Sequence, residues 1–393
     1  MSLGPKIAVC AVFCASLCAF SLSRAQETPE APGTPRFSYG GDAAVLAAQF
    51  TDYLLFLSAR VNVSEPSLFE LDTTAAATSI APDRATEIGR MNVPSPMLNF
   101  DGVDVPFSVL PALANADFVA RVGQEYQGTL GRDFLSNLVL DVDYSRETVR
   151  AYAPEHYKYW GKGLAFPITA AGGIPVIPMK FALDKGKEIT ADFVVDTALN
   201  APVVFDNKFF AARHISSDRG KTLQTVDPFS GMPGAAVGRL RTLALGKYPV
   251  DDVLAVFSDH AFPDAGVPVA GAIGSGMLRR FTVVFDNPQH QLILDPNIHF
   301  PDPDQEDKSG LLIVAKGTNY KTFEVVGVQP NSPAFDAGIK QGDIIAGIDA
   351  DPAADLSLLT VRDLFSQVGH KYKVTLERGD KTQEVTIQMR RYF

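Results

Sequence analysis

An Asp-Thr pair occurs twice in this chain, in the same local setting. Leu68-Phe69-Glu70-Leu71-Asp72-Thr73-Thr74-Ala75 is an apolar run that ends in Asp-Thr and small residues, and Phe193-Val194-Val195-Asp196-Thr197-Ala198-Leu199 is another. Two carboxylates held face to face cannot both ionise at low cost, so they share a proton and titrate apart. One of such a pair can take a proton from water while the other gives a proton to a carbonyl oxygen. An isolated Asp-Thr is also an ordinary turn sequence. The chemistry therefore depends on whether the chain brings the two copies together.

The elements around them repeat as well. Thr129-Leu130-Gly131-Arg132-Asp133-Phe134-Leu135 is followed by the apolar run 138–143, and Ala272-Ile273-Gly274-Ser275-Gly276-Met277-Leu278 by the run 281–286. Asp143-Tyr144-Ser145-Arg146 and Asp286-Asn287-Pro288-Gln289 then read as hairpin turns before closing strands at 148–152 and 291–294. Two landmarks thus recur in the same order. The sequence predicts two related β lobes, residues 38–155 and 156–300, built from short β-branched runs separated by Gly, Pro, Asn and Asp.

This paired pattern resembles the retropepsin and pepsin-like aspartic proteases, with both copies in one chain. The resemblance covers most of residues 45–297. It implies that Asp72 and Asp196 are the catalytic dyad of a peptide-bond hydrolase. It implies further that Thr73 and Thr197 tie the two loops together, and that Gly131 and Gly274 support them. A flap hairpin would follow each Asp loop, with its tip at 229–234 in the second lobe and near 89–96 in the first. The chain departs from the family at the third motif residue, usually Gly, which is Thr74 in one copy and Ala198 in the other. Thr is β-branched and stiff, and is expected to displace the first loop.

The segment 309–393 carries a second resemblance. Val325-Val326-Gly327-Val328-Gln329-Pro330-Asn331-Ser332-Pro333-Ala334 leads into Ala337-Gly338-Ile339-Lys340-Gln341-Gly342-Asp343-Ile344-Ile345. This order of strand, short helix, turn and strand is similar to bacterial-type PDZ domains. The resemblance implies a small α+β module that takes protein C-termini or internal peptide segments by adding them as a strand. Gly310, Leu311, Leu312 and Ile313 would form the carboxylate loop and edge strand. A groove helix over 359–368 would present Leu364 and Val368. The usual loop is richer in Gly than this one. Between the lobes and this module, the Pro- and acid-rich run 301–308 reads as a linker.

The ends and the composition bound the rest. Lys6, the apolar run 7–22 and Ser23-Arg24-Ala25 read as a cleavable signal peptide over 1–25. An exported chain, periplasmic or secreted, is expected, with 26–37 as a flexible leader. The three cysteines, Cys10, Cys14 and Cys18, all lie in that signal segment. The mature chain would have neither disulfides nor a thiol nucleophile. Cleavage also removes Lys6 and Arg24 and no acid, taking the net charge from −10 to −12. So acidic a chain is repelled by phosphate backbones, and no nucleic-acid partner is expected. Six scattered histidines, with no His-Glu-x-x-His, give no metal site and no cofactor. Trp160, beside Tyr157 and Tyr159, reads as a packed connector between the lobes. The expected partner is a peptide or protein substrate. The competing reading is a catalytically inactive protease-fold protein that binds or scaffolds peptides, and Thr74 is the residue that favours it.

Overall fold

Each Asp-Thr motif ends a strand that lies beside a second strand running the same way. Ser67–Leu71 pairs in parallel with Gly128–Leu130, with Leu71 opposite Leu130. Ile189–Asp196 pairs in parallel with Gly271–Gly274, with Asp196 opposite Gly274. The computed structural model describes residues 34–91, 96–108, 110–111, 116–168, 174–183, 188–213, 223–225, 235–259 and 265–392. Parallel neighbours cannot be joined by a tight hairpin, so the chain between them must cross over. Here it leaves as the Asp loop and returns as the supporting Gly strand.

The two predicted closing hairpins join one sheet. Val139–Asp143 pairs antiparallel with Thr148–Tyr152, and Phe281–Asp286 with Gln291–Pro296. Val139–Asp143 also pairs antiparallel with Phe281–Asp286, with Val142 opposite Val283. Ala43–Leu46 and Leu164–Pro167 close the edges of this six-stranded sheet. The halves are therefore stitched through a shared sheet as well as through their Asp loops. The chain is mainly β, two β-rich halves joined through a shared sheet, with a small α+β domain after them.

Apolar side chains fill the space behind each Asp strand. In the second half, Phe181, Phe193, Phe205, Phe210 and Phe257 form one cluster of contacting rings. Each pair adds about 1 kcal/mol beyond its buried area. Residues 301–308, expected as a linker, are tied to that half. Arg280 donates to Asp304 Oδ1 at 2.6 Å, Leu254 N donates to Asp304 Oδ2 at 2.7 Å, and Arg239 pairs with Glu306. Both acidic partners, Asp304 and Glu306, are buried, where loss of one member of a pair leaves an uncompensated charge.

The C-terminal sheet runs from the edge strand Leu311–Lys316 through Thr322–Val328, Ile344–Ile348 and Lys371–Arg378 to Lys381–Gln388. Ser332 caps the short helix Pro333–Asp336 by accepting from Phe335 N. Gly338 and Gly342 take φ of 76° and 91°, which explains their place at the turns. Asp343 is buried and accepts both arms of the Arg378 guanidinium, at 2.6 and 2.7 Å.

Several expectations need correction. Arg36 and Phe37, assigned to the leader, form a strand on Val103–Pro106. Residues 89–91, assigned to a flap, end the helix Pro82–Met91. The groove helix spans Leu358–Phe365, because Ser357 caps its start and Leu358, Val361 and Phe365 make its buried stripe. Val368 lies beyond its end and is 55% exposed. Trp160 is 80% exposed, with Lys158 over its ring, whereas Tyr159 is held by Asp295. The signal segment 1–25, the second-lobe flap tip 229–234 and positions 92–95 lie outside the described residues.

Candidate active site

The two Asp loops are bound to each other through their threonines, both fully buried. Thr73 Oγ1 donates to Val195 O at 2.7 Å, and Thr197 Oγ1 donates to Leu71 O at 2.6 Å. Thr73 N donates to Thr197 Oγ1 at 3.1 Å, and Thr197 N donates to Thr73 Oγ1 at 3.2 Å. Val195 and Leu71 are the residues directly before Asp196 and Asp72. The bonds therefore fix the two carboxylates as neighbours across a local two-fold arrangement.

Gly131 and Gly274 sit against the loops that follow Asp72 and Asp196. Leu130 O accepts from Asp72 N at 3.0 Å, and Leu199 O accepts from Ser275 N at 2.6 Å. A Cβ on Gly131 would lie 2.6 Å from the Ala77 carbonyl carbon, and one on Gly274 would lie 2.1 Å from Leu199 O. Only glycine allows the supporting strands to come this close. Ser275 Oγ donates to Thr197 O at 2.9 Å, and Arg132 holds Thr74 O.

Thr74 does not displace its loop. Its amide and its hydroxyl each donate to Asp72 Oδ1 at 2.7 Å, and Ala75 N adds a third bond at 3.1 Å. Among the described residues, Asp196 Oδ1 receives one donor, Ala198 N at 3.0 Å. The pair is thus asymmetric. Three donors converge on Asp72 Oδ1. Asp196 is pushed up to about 7, first by its enclosure in protein and then by the Asp72 charge, with the Ala198 amide opposing. Burial and the neighbouring carboxylate thus favour the protonated form of Asp196.

A third carboxyl, unrecognised in the sequence, adjoins the pair. Glu70 lies on the strand Ser67–Leu71, two residues before Asp72. It is 4% exposed and its Oε1 has no hydrogen-bond partner. Burial, then Asp72, then Asp196 hold it well above the usual carboxylate range. A lone acid inside the apolar run Leu68-Phe69-Glu70-Leu71 was the available signal.

In the C-terminal domain, Gly310 through Ile313 come together at the sheet edge, and Leu311, Leu312 and Ile313 are buried there. Gly310 has φ of 78°, and a Cβ on it would overlap Ser332. Leu364 packs on the domain core. The groove residues that sequence reasoning missed are Leu358 and Arg362.

Residues 306–389 match the PDZ domain family, so this segment is a PDZ domain. No curated protein matches the chain in sequence. Among solved structures, the chain is similar to a photosystem II D1 C-terminal processing protease, at 26% identity over 22% of this chain and 24% of that one, with a TM-score of 0.21. It is also similar to the aspartic proteinase from Irpex lacteus, at 13% identity over 67% of this chain and 99% of that one, with a TM-score of 0.43.

Proposed function

We propose that the chain is an aspartic-type endopeptidase in which residues 38–155 and 156–300 supply one catalytic acid each. The observation that carries this reading is the pair of threonines that lock Asp72 and Asp196 side by side. With the proton on Asp196, Asp72 is the base. It takes a proton from water as the water oxygen attacks the scissile carbonyl carbon, while Asp196 donates to the carbonyl oxygen. The tetrahedral diol then collapses. Asp72 passes its proton to the leaving nitrogen, the C–N bond breaks, and Asp196 recovers a proton from the diol hydroxyl. Thr74 supports this role for Asp72 by adding a hydroxyl donor. The PDZ domain adds a peptide-binding module. The sequence of residues 1–25 supports export.

The test is cleavage of a denatured protein or peptide library between pH 3 and 8, beside Asp72→Asn and Asp196→Asn. Cleavage by the parent that is lost in both variants supports the reading. No cleavage by well-folded parent at any pH sinks it and leaves a non-catalytic peptide binder.

A further inference from the structure

The PDZ domain takes peptides between its edge strand and its groove helix, here Leu311–Lys316 and Leu358–Phe365. In this chain that groove is in use from both ends. At one end the helix Ala116–Val122 packs on the edge strand. Gly123, directly after it, takes φ of 70° and is pressed between the two walls. A Cβ added there would lie 3.1 Å from Leu358 Cβ and 3.4 Å from Ala315 Cβ. Arg362, on the groove helix, donates through Nη2 to Arg121 O at 2.6 Å and so caps the last turn of the docked helix. At the other end Asp307 fills the loop expected to hold a carboxylate. It accepts from Ser309 Oγ at 2.8 and 2.9 Å and from Gly310 N, while Leu311 N donates to Ser309 Oγ at 3.0 Å.

The same arginine reaches toward the dyad. Arg362 Nη1 donates to Asp52 Oδ2 at 2.7 Å, and that oxygen also accepts from Asn200 Nδ2 at 2.7 Å. Asn200 stands four residues after Asp196, next to Leu199, whose carbonyl accepts from Ser275 N. On the other side, the docked helix runs through 123–127 into the Gly128–Leu130 strand, whose last carbonyl accepts from Asp72 N. The groove is therefore bonded, directly or through one side chain, to segments that set both aspartates.

We infer that the ligand of this PDZ groove is the chain's own Ala116–Val122 helix, and that the docked helix, with Asp52 as the link, braces both Asp loops. The inference rests on the protease reading for its effect on activity but not for its binding or its brace. A foreign peptide enters the groove only by displacing the helix, and displacement loosens the dyad.

The experiment uses the full chain and a fluorescently labelled peptide of residues 114–126 as probe. Gly123→Val drives the internal helix out and leaves the groove walls and the probe unchanged. The variant is expected to bind the probe at least tenfold more tightly than the parent. Amide hydrogen exchange over 311–316 and over 196–200 should also rise. Arg362→Ala, at a half-buried position, is the second route, with faster exchange expected over both 116–123 and 196–200. A folded Gly123→Val chain that binds the probe no better than the parent overturns the internal ligand. Exchange at 196–200 that stays at the parent rate in both variants overturns the brace. Neither readout needs proteolysis, so failure of the protease reading is seen separately. If the chain does cleave, kcat/KM should fall several-fold in Gly123→Val.

Discussion

Thr73 and Thr197 each use one hydroxyl twice, as donor to the backbone ahead of the opposite aspartate and as acceptor from the opposite threonine's amide. Every polar atom in this arrangement is buried, so none can fall back on water. Removal of one hydroxyl leaves a buried amide and a buried carbonyl unpaired. Each such orphan costs about 1–3 kcal/mol. Thr197→Val, close in shape, is expected to lower unfolding free energy by about 2 kcal/mol or more and to cut activity strongly. Thr197→Ser should restore most of both. Urea unfolding of the three proteins checks this, and a Val variant as stable as the parent would show that the bonds hold nothing.

Thr74 turns the expected obstacle into a contributor. A glycine at this position would keep the amide bond to Asp72 and lose the hydroxyl bond. Thr74→Val removes only the hydroxyl, and Thr74→Ser keeps it. A hydrogen bond to a charged group is worth about 1.5–3 kcal/mol. The expected result is a roughly ten- to hundred-fold loss of kcat in Thr74→Val and little loss in Thr74→Ser. Equal activities in the two variants would remove the hydroxyl from the mechanism.

The position of the shared proton sets the pH behaviour. The folded chain holds the Asp196 proton to about pH 7, whereas an unfolded aspartate releases it near 4. The native state thus binds this proton more tightly. The stability it contributes is complete below about pH 4 and is lost as pH rises through about 7. Activity, which needs one proton on the pair, should fall over the same upper limb. The measurements are kcat/KM from pH 3 to 9, and melting temperature over pH 4–8 for the parent and Asp196→Asn. The variant should show a flatter melting curve. A rate still rising at pH 9 would contradict the shared-proton mechanism.

The parts of this site that were legible in sequence are those written as local runs. Asp72-Thr73 and Leu130-Gly131 are short, and each repeats in the second half, so the repeat itself carried the pairing. The strand pairs at 139–152 and 281–296 were legible because an apolar run, a turn and a second run stand side by side. The occupied groove was not legible. Arg362 and Asp52 are 310 residues apart, and nothing in either local sequence marks a partner at that distance. Trp160 was misread for a related reason. An aromatic beside two tyrosines looks like core, but only burial, which depends on the distant Asp295, separates Tyr159 from its exposed neighbour.

Glu70 offers a test of how much charge the floor of the site tolerates. Burial and the two neighbouring aspartates favour its neutral form in the folded chain. Ionised glutamate is favoured only after unfolding, so stability linked to Glu70 declines as pH rises above the ordinary glutamate range. Glu70→Gln copies the shape of the neutral acid and cannot ionise. Parent and variant should therefore unfold alike near pH 4. At pH 8, where the unfolded glutamate is ionised, the variant should be the more stable. With the neutral form of Glu70 favoured in the folded chain, the upper limb of any activity profile should stay where Asp196 sets it. A variant that is less stable at every pH would instead show an ionised Glu70 bonded to a partner, and the neutral assignment would fall.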